Sequence, residues 1–306
     1  TLESDGYQFK GHSDTEIILA GFERWGIQKA VEQFRGMFAI VLFDHQDNRL
    51  YLLRDRLGEK PLYYYLDDEG LVFSSELGSL LAGITRKLKP DWDEISAYFR
   101  YCYFSPDTTP FQQVKKLNPG HCLVIDQSTL NNCHDTNSLA KLSSSYWDNL
   151  DHCHYDPANE YTALASSEDA INEFETLLFD VVKNQSIADV DLGLFLSGGI
   201  DSSLVAAVLQ HSSTKPINTY TIAFDNDAYN EAPYAEDIAK HLATSHTEIP
   251  LSMDECIGLI QNIHSIIDEP FADPSFVPTY LVSREARKHV TVCLSGDGGD
   301  ELFAGY

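Results

Sequence analysis

The stretch Asp191-Leu192-Gly193-Leu194-Phe195-Leu196-Ser197-Gly198-Gly199-Ile200-Asp201-Ser202-Ser203 governs the reading of this 306-residue chain. Residues 191–196 form a short, almost unbroken apolar run, the pattern of a strand buried on both faces. Gly198 and Gly199 turn the backbone tightly and leave it approachable, and a helix is expected from Ser202 through Gln210. The N–H groups of such a turn, backed by the positive end of the helix dipole, make a nest suited to a pyrophosphate. The hydroxyls of Ser197, Ser202 and Ser203 add donors. Asp201 brings like charge to an anion site and fits there if Mg2+ lies between its carboxylate and phosphate oxygens. A bare Ser-Gly-Gly turn would need no ligand; the full S-G-G-x-D-S after a buried strand is more specific. Neither G-x-x-x-x-G-K-S/T nor G-x-G-x-x-G occurs, so P-loop and dinucleotide-binding readings lack support.

Working outward, the pattern alternates. A helix is expected over 168–185, with Ile171, Phe174, Leu178 and Val181 or Val182 on one face. Strand Ile217 to Phe224, helix Ala232 to Leu242, strand His246 to Leu251, helix Met253 to Ile267 and strand Val290 to Leu294 follow. Such alternation specifies a parallel sheet covered on both faces. The last strand runs into a second glycine-bearing loop, Leu294-Ser295-Gly296-Asp297-Gly298-Gly299-Asp300-Glu301-Leu302-Phe303. Two loops at the carboxyl ends of strands in one parallel sheet can face a common crevice, and Asp201 and Asp300 could then share a Mg2+.

The front of the chain has a different grammar. Ser13 to Glu16 reads as a capping box opening a helix. Strands are expected at Met37 to Asp44, Arg49 to Arg54, Leu62 to Leu66, Leu71 to Ser74 and Cys122 to Asp126, joined by short polar turns. This is antiparallel sheet with helices against it. Residues 127–167 are polar and aperiodic and read as an irregular inter-domain segment. Within it, Asp151-His152-Cys153-His154 superficially resembles a metal-ligand set, but adjacent residues rarely converge on one ion. The tyrosines at 63–65 read as strand packing.

Composition excludes other classes. Lysine and arginine total 21 against 47 aspartate and glutamate, a net charge of −26, so nucleic-acid and membrane-surface roles are disfavoured. No run approaches a transmembrane span and no signal-peptide pattern opens the chain. Six dispersed cysteines without C-x-x-C read as reduced thiols of a cytoplasmic protein.

Taken together, these residues resemble the asparagine synthetase family, glutamine-dependent amidotransferases with a pyrophosphate-loop synthetase domain. The front half carries the resemblance in Gly11-His12-Ser13-Asp14-Thr15-Glu16, Gly36-Met37-Phe38-Ala39, Arg54 to Tyr64, Ser74-Ser75-Glu76-Leu77 and Leu117-Asn118-Pro119-Gly120-His121. The back half carries it in the two loops and Asp268-Glu269-Pro270. The resemblance implies an α+β, N-terminal-nucleophile glutaminase sandwich over 1–150, a linker over 151–166 and a pyrophosphate-loop α/β domain over 167–306.

It further implies ATP contacts at Leu196, Ser197, Gly198, Gly199, Asp201, Ser202, Ser295 and Gly296, with Ile222 lining the adenine pocket. Asp201 and Asp300 would hold Mg2+. Asp297 stands where many members have a glutamate implicated in forming the aspartyl-adenylate. Asp14 matches the acid that binds the α-amino group of glutamine. The implied reaction adenylates the β-carboxylate of aspartate with ATP, and ammonia released from glutamine then displaces AMP to give asparagine. The implied nucleophile, an N-terminal cysteine, is expected upstream of Thr1, and helices completing the aspartate site beyond Tyr306. The chain therefore reads as an internal fragment, inactive by itself. Two other readings are a related amidotransferase acting on a different carboxylate, such as a uronic-acid sugar, and a non-catalytic binding remnant. A homo-oligomer is compatible with all three.

Overall fold

The computed structural model describes residues 2–148, 167–224, 230–303 and 305, and the linker histidines and Cys153 lie outside this set. The chain divides into two compact units. One comprises residues 1–155 together with Ile267–Ala272; the other comprises 156–266 and 273–306.

The front unit holds two antiparallel sheets. The first has the order β1 (Ala39–Asp44), β2 (Arg49–Arg54), β6 (His121–Ile125), β7 (Ser144–Ser145). The second has the order β4 (Leu71–Ser74), β3 (Tyr63–Leu66), β5 (Lys115–Lys116). Side chains alternate along each strand, and the alternation builds three layers of core. Leu52 of β2, Leu123 and Ile125 of β6, and Tyr64 and Leu66 of β3 pack together between the sheets. Leu53 and Cys122 point the other way, onto Phe22 of helix α1 (Asp14–Trp25) and Val31 of α2 (Ile27–Gln33). Tyr63 and Tyr65 likewise face Leu77 and Leu80 of α3 (Leu77–Ala82). The result is a helix–sheet–sheet–helix sandwich, and the tyrosine run is strand packing, as expected.

Several local details differ from the sequence reading. Ser13 and Glu16 do not close a reciprocal box. Ser13 Oγ accepts from Thr15 N, while the Glu16 carboxylate takes the N–H groups of Lys10 and Gly11, each at 2.9 Å. Helix α4 (Trp92–Tyr101) was not anticipated; it is amphipathic yet buries no residue fully. The polar segment after β6 is not wholly irregular. Asp126 and Asp135 cap short helices α5 (Gln127–Asn132) and α6 (Thr136–Ala140), accepting from the backbone N–H of Thr129 and Ser138. Those hydrogen bonds hold the Asp126 carboxyl down at about 2.

The back unit is a four-stranded, fully parallel sheet in the order β10 (Ser245–Leu251), β9 (Asn218–Phe224), β8 (Leu192–Phe195), β11 (Val292–Leu294). Leu194 and Leu196 pack on one side against α7 (Ser167–Gln185), α8 (Ile200–Ser212) and α9 (Ala232–Leu242). Phe195, Tyr220 and Ile249 face Val282 and Ala286 of α11 (Phe276–Ala286) on the other. Each fully buried leucine contributes about 1.5–3 kcal/mol of transfer free energy. The alternating α/β reading thus holds.

Three of its details change. On α7 Val182 is the buried one of the two valines the reading offered, while Ile171, expected on the same face, is exposed. The helix after β10 ends early: α10 spans Met253–Gln261, opened by a true capping box between Ser252 and Glu255, and only a 3-10 turn follows. Helix α11 was missed.

Candidate active site

The chain moves from β8 outward to β9 and β10, then returns to place β11 on the opposite side of β8. The strand order therefore reverses between β8 and β11, and ligands of open α/β sheets bind in the crevice at that point. A cleft of about 1260 Å3 lies there. It is lined by Leu196, Ser197, Gly199, Asp201 and Ser202 from the first loop, and by Ser295, Gly296, Asp297 and Asp300 from the second. Ile222 of β9 lines it too.

Glycine lets the two loops touch. A Cβ on Gly296 would sit 2.7 Å from the Ser202 nitrogen and 3.1 Å from the Asp201 carbonyl carbon, both backbone atoms. A Cβ on Gly299 would sit 2.7 Å from Asp201 Oδ2, so the Asp201 side chain lies across the second loop, one residue before Asp300. Gly298 and Gly299 lead straight into the short helix α12 (Gly299–Phe303), which carries Asp300 in its first turn.

Gly198 does not line the cleft. Its φ of +86° and the 2.8 Å approach of a notional Cβ to Tyr234 Cβ show a packing role, seating the turn on the start of α9. The hydroxyls act on the loop itself. Ser203 Oγ donates to Gly199 O at 2.6 Å, and Ser202 Oγ lies 2.9 Å from Ser197 Oγ and within reach of Gly199 O. They brace the turn. Helix α8 begins at Ile200 with no side-chain cap, so the N–H groups of its first turn, on the cleft-lining residues Ile200, Asp201 and Ser202, have no side-chain partner from a cap. Asp297 is held by its own turn, accepting from Ser295 Oγ at 3.0 Å.

The electrostatics of this cleft are unusual. Asp201, Asp297, Asp300 and Glu231 line it, and among its described lining residues there is no lysine, arginine or histidine. A polyanionic ligand would meet only the helix dipole and backbone donors, unless a divalent cation offset the carboxylates. The donor set is hard oxygen, which suits Mg2+. No group of three or more His, Cys, Asp or Glu poised for a metal occurs among the described residues.

Sequence reasoning missed the far walls. Met253 and Cys256 of α10 and Ser275, Thr279 and Val282 around α11 also line the cleft, and Pro278 in the first turn of α11 masks its helical signal. Burial holds the Cys293 thiol on the cleft floor up at about 11, which makes it inert near neutrality. In the front unit Asp14 sits exposed in the first turn of α1, where its carboxylate accepts from the Thr15 hydroxyl at 3.5 Å.

The described cysteines are all free, and no described helix is long and apolar enough to cross a membrane. Comparison with known proteins agrees with both halves of the fold. Residues 173–306 match the Asparagine synthase family, and residues 1–136 match the Glutamine amidotransferase domain. The chain is 36% identical over 297 residues to the Methanocaldococcus jannaschii protein named "Putative asparagine synthetase (glutamine-hydrolyzing) 2", covering 96% of this chain and 54% of that one. It is 33% identical over 307 residues to asparagine synthetase (glutamine-hydrolyzing) 1 of Bacillus subtilis, covering 100% of this chain and 45% of that one. The chain spans about half the length of the curated relatives it matches. The chain is thus a sandwich that matches the Glutamine amidotransferase domain, followed by a parallel-sheet unit, bearing both glycine loops, that matches the Asparagine synthase family.

Proposed function

We propose that this chain carries the glutamine-facing and ATP-binding parts of a glutamine-dependent asparagine synthetase, an ATP-dependent carbon–nitrogen ligase of the cytoplasm. The observation that carries the reading is the contact between the two loops at the sheet's reversal point, with Asp201 lying across Gly299 beside Asp300. ATP enters the cleft with its pyrophosphate on the first-turn N–H groups of α8, and its adenine toward Ile222 and the apolar wall behind it. Leu196 and Gly296 close the floor around the phosphates.

Asp201 and Asp300 are the residues that would hold Mg2+. When bound, that ion supplies charge neutralisation for the leaving pyrophosphate. The chain's own groups do the rest. The Ser197 and Gly199 N–H groups are taken up inside the turn by Ser202 Oγ and Ser197 Oγ, so the backbone donors offered to the departing anion are those of Ile200 to Ser202, held before the reaction by the braced turn. The β-carboxylate of aspartate attacks the α-phosphorus, pyrophosphate leaves, and ammonia then displaces AMP from β-aspartyl-AMP to give asparagine. Asp297, which accepts from Ser295 Oγ in the cleft, is the proposed counterpart of the acid implicated in forming the aspartyl-adenylate. In the front unit Asp14 is the proposed partner of the glutamine α-amino group, an open carboxylate in a helix's first turn.

The test is product analysis on the native protein that carries this sequence. With ATP, aspartate and glutamine it should release asparagine, glutamate, AMP and pyrophosphate in equal amounts. Asp201→Ala should lower ammonia-dependent turnover on the order of 10²-fold or more, by analogy with losing one preorganised transition-state contact. Pyrophosphate release without asparagine would reject aspartate as the acceptor. An unaffected Asp201→Ala would reject the site.

A further inference from the structure

Two polar side chains of the back unit's cleft, Thr221 and Glu231, have no partner within the fold. Thr221 lines the cleft at 4% exposure, and its hydroxyl has no hydrogen-bond partner among the described residues. A hydroxyl so buried is nearly always paired, so one left open in a ligand cavity points to a ligand. Glu231 lines the same cleft, and its carboxylate makes no ion pair and no hydrogen bond among the described residues. It stands at the N-cap of α9, where an oxygen-bearing side chain can accept from first-turn N–H groups, yet it caps nothing.

The backbone around Glu231 is nonetheless firmly placed. Glu231 O accepts from Tyr234 N at 3.0 Å and from Ala235 N at 3.1 Å. Asn230 Oδ1 accepts from Phe224 N at 3.3 Å and from Ala232 N at 3.2 Å, which ties the start of α9 to the end of β9. Gly198 packs on that same first turn, where its notional Cβ would meet Ala235 N at 2.9 Å. Glu231 therefore lies where the tip of β9 and the first glycine loop come together.

Strand alternation sends Thr221 and Ile222 to opposite sides of the sheet, and both reach the cleft. Ile222 lies on the α11 side, with Leu281 and Val282. Thr221 lies on the side of Leu196, α8 and α9. With the base against Ile222 and the pyrophosphate on the first turn of α8, the sugar that joins them crosses the end of β9, past Thr221 and Glu231. A carboxylate repels the phosphates, so it needs a neutral donor on the ligand. The sugar offers two adjacent hydroxyls, and an acidic side chain is the known acceptor for a ribose hydroxyl in open α/β sheets.

We propose that Glu231 accepts hydrogen bonds from the ribose hydroxyls of the bound nucleotide, with Thr221 donating to the same sugar, and that the pair makes the cleft selective for ribonucleotides over 2′-deoxyribonucleotides. The proposal rests on the reading of the cleft as an ATP site and adds the sugar specificity of that site.

The test is calorimetric titration of the native protein that carries this sequence, and of its Glu231→Ala and Thr221→Val variants, with the magnesium complexes of ATP, 2′-deoxy-ATP and ITP. Wild type should bind ATP roughly 10- to 100-fold more tightly than 2′-deoxy-ATP, the worth of a hydrogen bond to a charged acceptor. Glu231→Ala should abolish most of that preference and Thr221→Val should reduce it, with the ratio of ATP to ITP affinity unchanged in both. The ratio is decisive because removing a negative charge also relieves repulsion of the phosphates, which acts on every triphosphate alike. Both variants should melt no lower than wild type, since neither removes a hydrogen bond of the folded chain. Equal wild-type affinities for ATP and 2′-deoxy-ATP, or a preference that survives intact in Glu231→Ala, would overturn the proposal and leave the ATP reading standing. So would a change confined to the ATP-to-ITP ratio, which would put the carboxylate on the adenine amino group. A wild-type protein that binds none of the three would remove the ATP reading, and the proposal with it.

Discussion

Replacing Gly296 with alanine probes the contact on which the site depends. Its Cβ would stand 2.7 Å from the Ser202 nitrogen and 3.1 Å from both the Ser202 Cα and the Asp201 carbonyl carbon. None of these atoms can rotate away, since they are the backbone of the first turn of α8, braced by the serine hydroxyls. Ordinary van der Waals contact begins at 3.4 Å, so the two loops must part by about 0.7 Å. Overpacking of that kind costs about 1–3 kcal/mol. If the cost falls on the nucleotide-binding arrangement, it corresponds to about a 5- to 150-fold rise in Kd.

The assay is calorimetric titration with MgATP beside a thermal melt. Gly258→Ala is the control, because a Cβ at that helical position meets nothing within 4 Å. Wild-type affinity and melting temperature in Gly296→Ala would refute the reasoning, because they would mean that the loops are not in contact.

Further perturbations reach other parts of the chain. Gly258→Ala itself should stabilise the back unit by about 0.4–1 kcal/mol, through a less flexible unfolded chain, seen as a raised melting temperature. Arg54 is buried and donates to the carbonyls of Lys60, Pro106, Leu117 and Gly58, so Arg54→Met should orphan these acceptors and cost about 3–5 kcal/mol in urea unfolding of the front unit. Burial lowers the pKa of His246, whose Nδ1 lies 2.9 Å from the Thr219 hydroxyl while its Nε2 has no partner. A depressed histidine pKa disfavours protonation in the folded state, so back-unit stability should fall as pH drops below the unfolded value of about 6.5. His246→Gln should flatten that part of the melting-temperature profile.

Much of this architecture was legible because its determinants are local. The apolar run ending at Leu196, the glycines after it and the alternating elements that follow read directly as strand, turn and parallel sheet. The alternation of Leu52 and Leu53, or of Tyr63 and Tyr64, likewise announces two-faced antiparallel strands. What escaped depends on tertiary context. Helix α11 begins Ser275-Phe276-Val277-Pro278-Thr279, where a proline and small polar residues mask the periodicity that Leu281, Val282 and Ala286 satisfy only against the sheet. The roles of Ser202 and Ser203 are inverted relative to a ligand-donor reading, because their hydroxyls find the Gly199 carbonyl first. No spacing rule could pair Glu269 with Tyr63, 206 residues earlier. The family motifs placed Asp201 and Asp300 in one site. Only the geometry shows that Gly296 and Gly299 allow the approach.

The central claim is that a metal–nucleotide complex sits between those two aspartates. Anomalous diffraction from crystals grown with Mn2+ and a non-hydrolysable ATP analogue addresses it most directly. The account predicts a manganese peak at the mouth of the cleft, within about 2.0–2.3 Å of a carboxylate oxygen of Asp201 or Asp300, with the terminal phosphates against the first turn of α8. Nucleotide bound elsewhere, or a manganese peak that touches neither aspartate, would contradict it.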